Sequence, residues 1–361
     1  MKKLFSSTNI NKLFLLAVLA GIFLYQLNGG YSFFQYSESW QLLSLRIQDF
    51  ITLVLSIIVE AFPFIILGVS ISTLIGVGFF EFLKSFVYKH KRILFPLYYL
   101  YESSSRIDKK FKTNRIYSHV KVSVLGIFLP VCECGNIPVA RRLLLGGFSV
   151  SQSITFLLAA PILNPVTFLT TLEAFNYDKS VVVIRLLAAF IIANFVGILL
   201  SFKKPQNEFL NLDFYQEICN TQDHKHNKNR FVEALNTFQR EFIEIFKVLI
   251  IGAMLAAASQ TFIPRDTIIA IGQNPILSIL AMLLLAFVIS ICSNVDAFFA
   301  LSYANSFTIG SILGFLVFGP MIDIKILTML RTTYKPKLLL IVSGLVFMLS
   351  LLTALIVNFI K

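Results

Sequence analysis

Cys132, Glu133, Cys134, Asn136 and Pro138 fall within the run Cys-Glu-Cys-Gly-Asn-Ile-Pro, just after an apolar stretch at 120–129 and just ahead of Arg141 and Arg142. Thiolates suit soft centres. Carboxylates and amides are costly at membrane depth, where they mark a substrate path, a proton relay or an enclosed cavity. Gly135 and Pro138 are expected to interrupt the helix and free backbone groups for a ligand. On a regular helix Cys132 and Cys134 point to different faces, whereas an unwound segment lets them approach one ligand together. The alternative is a kinked helix inside a bundle, with the thiols packed as small apolar side chains. Arg141 and Arg142 either attract an anionic substrate or snorkel to headgroups.

A second constellation matches the first. Cys134-Gly135-Asn136-Ile137-Pro138 aligns with Cys292-Ser293-Asn294-Val295-Asp296, and Ala160-Pro161 with Asn164 aligns with Gly319-Pro320 with Asp323. Glu60 and Glu244 each precede an apolar run with a glycine eight positions on, Gly68 and Gly252. This order predicts an internal repeat of two homologous halves, about 50–201 and 232–361, as in transporters whose site lies between repeats at broken helices. The candidate substrate-binding residues are therefore Cys132, Glu133, Cys134, Asn136, Pro138, Asn164, Cys292, Asn294, Asp296 and Asp323. Glu60, Asp296 and Asp323 are candidates for coupling transport to protons or ions. Asp323 has a structural alternative, a pair with nearby Lys325, and Glu244 has one at the membrane interface.

The elements that must hold these residues are membrane spans. The chain of 361 residues is 57% hydrophobic with only 14% charged residues, and its mean hydropathy is +0.78. Its apolar runs reach the roughly 20 residues that a helix needs to cross hydrocarbon. The expected class is an all-α polytopic membrane protein with broken helices in its two halves and one extra N-terminal span. That span, 13–27, follows Lys2, Lys3 and Lys12, which predicts a cytoplasmic N-terminus. Further apolar segments are expected at 51–80, with a bend at Pro63, and at 149–171, 181–200, 246–258, 276–300, 309–330 and 338–360.

Charge sets the orientation. Residues 84–121 carry ten Lys or Arg against Glu102 and Asp108, which predicts a cytoplasmic loop. The net charge of +12 belongs to such loops and gives no nucleic-acid footprint. The domain reading is an anchor and external loop at 1–49, the first repeat at 50–201, a polar connector at 202–231 and the second repeat at 232–361. If the cysteine segments cross fully, the halves are parallel. If they are re-entrant, the halves are inverted, which is the preferred arrangement.

Cys219, Asp223, His224 and His226 in the connector match no common zinc spacing, so neither a metal site nor a cofactor is expected. The partners expected are the lipid bilayer and a small solute, with the oligomeric state open. The chemistry favours a permease over an enzyme, since the four histidines lie in loops or at a span edge and give a thiol nucleophile no base. Two alternatives remain, a membrane-embedded thiol redox protein and a membrane subunit of a multi-component transport system. No G-x-x-x-x-G-K-[ST] occurs, so ATP chemistry would need a partner.

The run Cys-Glu-Cys-Gly-Asn-Ile-Pro-Val-Ala, together with Phe156-Leu157-Leu158-Ala159-Ala160-Pro161, Asp296-Ala297-Phe298 and Phe318-Gly319-Pro320-Met321-Ile322-Asp323-Ile324-Lys325, resembles the ArsP-type predicted permeases. The resemblance covers roughly 50–360. It implies a helical permease of the bacterial inner membrane, in a family that includes efflux permeases for trivalent organoarsenicals. Glu133 stands where members often carry Ser, which adds a charge to the motif.

Overall fold

The computed structural model describes residues 38–76, 115–129, 131–176, 179–202, 206–212, 214–216, 230–262, 275–304 and 306–360. The expected span at 13–27, most of the basic loop, and Cys219, Asp223, His224 and His226 lie outside them. Contacts divide the chain into Met1–Thr52 and Leu53–Lys361. In the first unit, the described part is the opening turns of α1 (Glu38–Gly76), which continues without interruption through Pro63.

Every regular element among the described residues is helical. After α1 come α2 (Arg115–Val124), a 3-10 turn (Leu125–Phe128), α3 (Glu133–Leu145), α4 (Val150–Leu163), α5 (Pro165–Ala174) and α6 (Lys179–Ser201). The later part holds α7 (Arg230–Phe262), α8 (Pro275–Ile289), α9 (Asp296–Leu301), α10 (Ile309–Met321), α11 (Ile324–Leu330) and α12 (Pro336–Ile360). Among the described residues, six stretches are long and apolar enough to cross a membrane: Arg46–Leu74, Val150–Ala174, Lys179–Ser201, Ala234–Thr261, Ile309–Leu330 and Pro336–Ile360.

Burial separates these six into layers. In an apolar 18-residue window of each, 67% of Val150–Ala174 and 83% of Ile309–Leu330 is buried, against only 17% of Arg46–Leu74. The α4–α5 and α10–α11 pairs therefore form the interior, with α6 against α4, and α8 and α12 against α10. On α6 the outward stripe is Leu187, Ile191 and Phe195, while Arg185, Ala189, Ile192 and Val196 face inward. An all-round apolar helix of this kind is at home in hydrocarbon, where its outward leucines and isoleucines meet lipid tails.

Both interior spans are broken for the same local reason. In α4, Ser149 closes a capping box with Gln152 and Pro161 lies near the end. The helix stops at Asn164, whose extended backbone and side-chain acceptor for the Val166 N–H start α5 with Pro165 at its first position. In α10, Thr308 accepts from the Ser311 N–H and Pro320 lies near the end. Asp323 then caps α11 through the Ile326 N–H. Proline removes a helical donor, and a short polar side chain satisfies the amides the new helix leaves open. The apolar segment at 276–300 is also interrupted, between Ile289 and Asp296.

The unwinding expected at Gly135 and Pro138 occurs elsewhere. Both residues lie inside α3, and the break comes just before it, where Cys132 is extended (φ −72°, ψ 178°) and serves as the N-cap. Gly135 is needed for close packing instead. A Cβ on Gly68 of α1 would come 2.2 Å from the Gly135 carbonyl oxygen, and one on Gly135 would come 2.6 Å from that of Phe64. Two glycines let the α1 and α3 backbones touch, a device common between membrane helices.

Candidate functional site

The break before α3 meets the break between α8 and α9. Cys132, at the N-cap of α3, interacts with Cys134 in the first turn and with Cys292 across the junction. The ligand atoms of Cys132, Glu133 and Cys292 all lie within 4.8 Å of one another, and all three residues are buried. Glu133 Oε2 accepts from the Cys292 thiol at 3.6 Å and stands 3.5 Å from the Ser293 hydroxyl. Its other oxygen, Oε1, takes the Lys325 Nζ at 2.9 Å. Lys325 also donates to the Ser290 carbonyl at 3.3 Å. Ser290 itself has φ 52°, a left-handed conformation that exposes its carbonyl where α8 ends.

This arrangement bears on the structural alternative for Asp323. Lys325 pairs with Glu133, whereas Asp323 turns its Oδ1 back to cap α11 and leaves Oδ2 without a partner among the described residues. The reason is local, since an N-cap side chain folds towards its own helix and away from a residue on the first turn. Lys325 and Glu133 are each only 3% exposed, so they form an ion pair inside the protein. Removing one partner of such a pair leaves a buried charge uncompensated. Glu60 on α1 is only half-buried, and Lys325, Glu133 and Cys292 all act on it.

A second polar centre surrounds Asp296. Arg185 of α6 forms an ion pair with its Oδ2 and donates to Thr171 Oγ1 at 2.6 Å. Arg185 and Asp296 are each 1% exposed. Arg185 Nε and Asp296 Oδ1 have no partner among the described residues. Nearby, Thr167 of α5 donates to the Pro161 carbonyl and to Asn294 Oδ1, which links the α4–α5 break to the Cys292 segment. Asn164 donates to the Val131 carbonyl at 3.0 Å, tying the same break to the turn before α3. Asn136 is fully buried, and both of its amide atoms lack a partner among the described residues.

The candidate residues thus sort by geometry. Cys132, Glu133, Cys134 and Cys292 gather at the junction, with Glu60 at its edge. Asn164 and Asn294 brace the breaks, Asp296 belongs to the Arg185 centre, Asp323 to a helix cap, and Pro138 to the body of α3. Arg141 and Arg142 are engaged. Arg141 pairs with Glu244 at 3.0 Å and sits over the Phe214 ring, while Arg142 pairs with Glu241 at 3.0 Å and donates to the Ser72 carbonyl. These contacts fasten α3 to α7 and α1. The sequence reading overlooked Arg185, although a lone cation inside the apolar run 181–200 was the available signal.

Space at the junction is small. A cavity of about 10 Å3 lies against Glu133 and is otherwise lined by apolar side chains, among them Ile137, Ile322 and Ile326. That is room for roughly one water. Cys132, Cys134 and Cys292 are themselves buried, so the structure is closed around the thiols.

Residues 98–359 match a family described as predicted permease. The chain is 35% identical over 294 residues to the UPF0718 protein YcgR of Bacillus subtilis (strain 168), a match covering 78% of this chain and 88% of YcgR. It is 33% identical over 288 residues to a Streptococcus mutans serotype c protein provisionally named a two-component membrane permease complex subunit, covering 79% of this chain and 87% of that one. No solved structure matches it significantly. Several apolar helices long enough to cross a membrane, together with the match to most of the chain, make this a multi-pass membrane protein, and the chain belongs to the ArsP-type predicted permease family.

Proposed function

We propose that this protein is a permease that carries a small thiophilic solute through the junction of its two broken segments. The observation that carries the reading is the meeting of Cys132 and Cys292, distant in sequence, around the buried carboxylate of Glu133. Thiols collected inside a helical bundle recognise a soft centre, of which a trivalent metalloid or organoarsenical is one class. Polar groups at broken helices are where secondary transporters hold their cargo. A repeat of two halves is part of this reading, and it is supported by the parallel capping of α4 and α10, each hydroxyl-capped with a late proline and followed by Asn164 or Asp323 as cap of α5 or α11.

The closed junction is one state of an alternating cycle, in which the halves must separate to admit cargo. Among the candidate coupling carboxylates, Asp296 is committed to Arg185 and Asp323 to its cap. Glu60, half-buried and sensing the charges of Lys325 and Glu133, is the best placed to exchange a proton or ion with the site. The basic segment 84–121 and Lys2, Lys3 and Lys12 favour a cytoplasmic N-terminus; a bacterial inner membrane and efflux are what the family resemblance implies.

A second reading has its own support in the Streptococcus mutans relative's name. In it, this chain is the membrane subunit of a permease that requires a second protein. Uptake into everted vesicles, tested across metalloids, trivalent organoarsenicals and small anions, separates the possibilities. The chain alone is expected to move a thiophilic solute above the level of empty membranes. Uptake of an anion only, or of nothing until a second component is added, would contradict the first reading.

A further inference from the structure

We infer that Cys132, Glu133 and Cys292 form a binding site for a thiophilic divalent cation of the zinc and cadmium class. The inference rests on the permease reading and names a cargo class for the same junction. The sequence gives no metal-ligand spacing here, because two of the ligands are neighbours and the third is 159 positions on in the chain.

Three observations point to a cation. The first is distance. Bonds of about 2.3 Å to sulfur and about 2.1 Å to oxygen, set at a tetrahedral angle, place the two ligand atoms about 3.6 Å apart. Cys292 Sγ and Glu133 Oε2 are 3.6 Å apart, and Cys132 Sγ completes a triad within 4.8 Å. Little rearrangement is needed to close these atoms on one ion.

The second observation is the support of the carboxylate. Lys325 holds Oε1 at 2.9 Å and leaves Oε2 turned towards the thiols. A carboxylate anchored by its outer oxygen is a typical device for orienting a metal ligand. Three protein ligands and one exchangeable position suit an ion that must arrive and leave.

The third observation is charge. When empty, the triad holds two neutral thiols and a carboxylate compensated by Lys325. On binding, both S–H bonds break, two metal–sulfur bonds form, and the two protons are released to the aqueous phase. Two thiolates, the Glu133 carboxylate and the Lys325 ammonium then leave an excess of two negative charges, which one divalent cation cancels. A buried site tolerates no uncompensated charge, so the triad favours a divalent over a monovalent soft ion. The other carboxyl groups that act on Lys325 or its partner are Glu60 at the edge of the junction, Asp323, which caps α11, and Asp296, which is paired with Arg185.

The test uses the full chain, purified in detergent with Cys219→Ser so that the thiols left are Cys132, Cys134 and Cys292. Cadmium is titrated and read by its thiolate charge-transfer absorption, and X-ray absorption at the cadmium edge counts the sulfurs. One ion per chain with two sulfur ligands is expected. Cys132→Ser or Cys292→Ser should each weaken binding by about 100-fold or more, and Glu133→Gln by at least about 10-fold. Three or more sulfurs per ion, no sulfur, or unchanged affinity in Cys292→Ser would overturn the site. The sulfur count needs no variant at the junction, so a misfolded mutant cannot hide the answer. If vesicles move a metalloid while cadmium gives no charge-transfer band, this inference fails and the permease reading stands.

Discussion

At the scale of single residues, the account turns on the Glu133–Lys325 pair. Glu133→Gln should cost about 3–5 kcal/mol of stability, because it strands the Lys325 ammonium in the interior. Glu133→Gln combined with Lys325→Met should recover most of that loss, since the charge is then absent. Unfolding in mixed micelles, analysed as a double-mutant cycle, measures the coupling; additive losses would show that the two charges do not interact. The thiols and carboxylates of the junction were legible in the sequence, because polar residues stand out in apolar runs. Their partners were not. Lys325 and Glu133 are 192 positions apart, and local proximity pointed to Asp323 instead. Arg185 was visible as a cation in a span, but only the packing of α6 against α9 and α5 reveals Asp296 and Thr171 as its partners.

At the scale of elements, the close crossing of α1 and α3 sets the position of the Cys132 break. Gly68→Ala would drive a methyl group against the Gly135 backbone, which has no flexible atom to yield. Loss of folded protein, read as aggregation on gel filtration, is expected. Gly344, in α12, has nothing within 4 Å of an added Cβ, so Gly344→Ala should be neutral or stabilise by up to about 1 kcal/mol. Equal behaviour of the two variants would remove the close-packing argument. Asn164→Ala should cost about 1–2 kcal/mol, because it takes away both the α5 cap and the bond to Val131. The long apolar helices followed directly from hydropathy, and the breaks near Pro161 and Pro320 from proline with a short polar residue after it. The start of α3 at Glu133 did not follow. Gly135 and Pro138 looked like breakers, but the glycine serves a helix contact that a single sequence does not display.

For the whole molecule, orientation follows from charge. The segment 84–121, which carries ten basic residues and ends within α2, should be cytoplasmic. A single cysteine introduced near Lys110 should resist an impermeant thiol reagent added outside intact cells. Ready labelling there would reverse the orientation. The central claim is that cargo passes through the junction of Cys132 and Cys292. Its most direct test is the initial rate of solute uptake into everted vesicles by Cys132→Ser and Cys292→Ser chains, each compared with the parent at equal amounts of folded protein. The account predicts that each serine variant loses at least about ten-fold in rate at low solute concentration, as expected when a soft ligand is replaced by a hard one. Parental rates in both variants would contradict it.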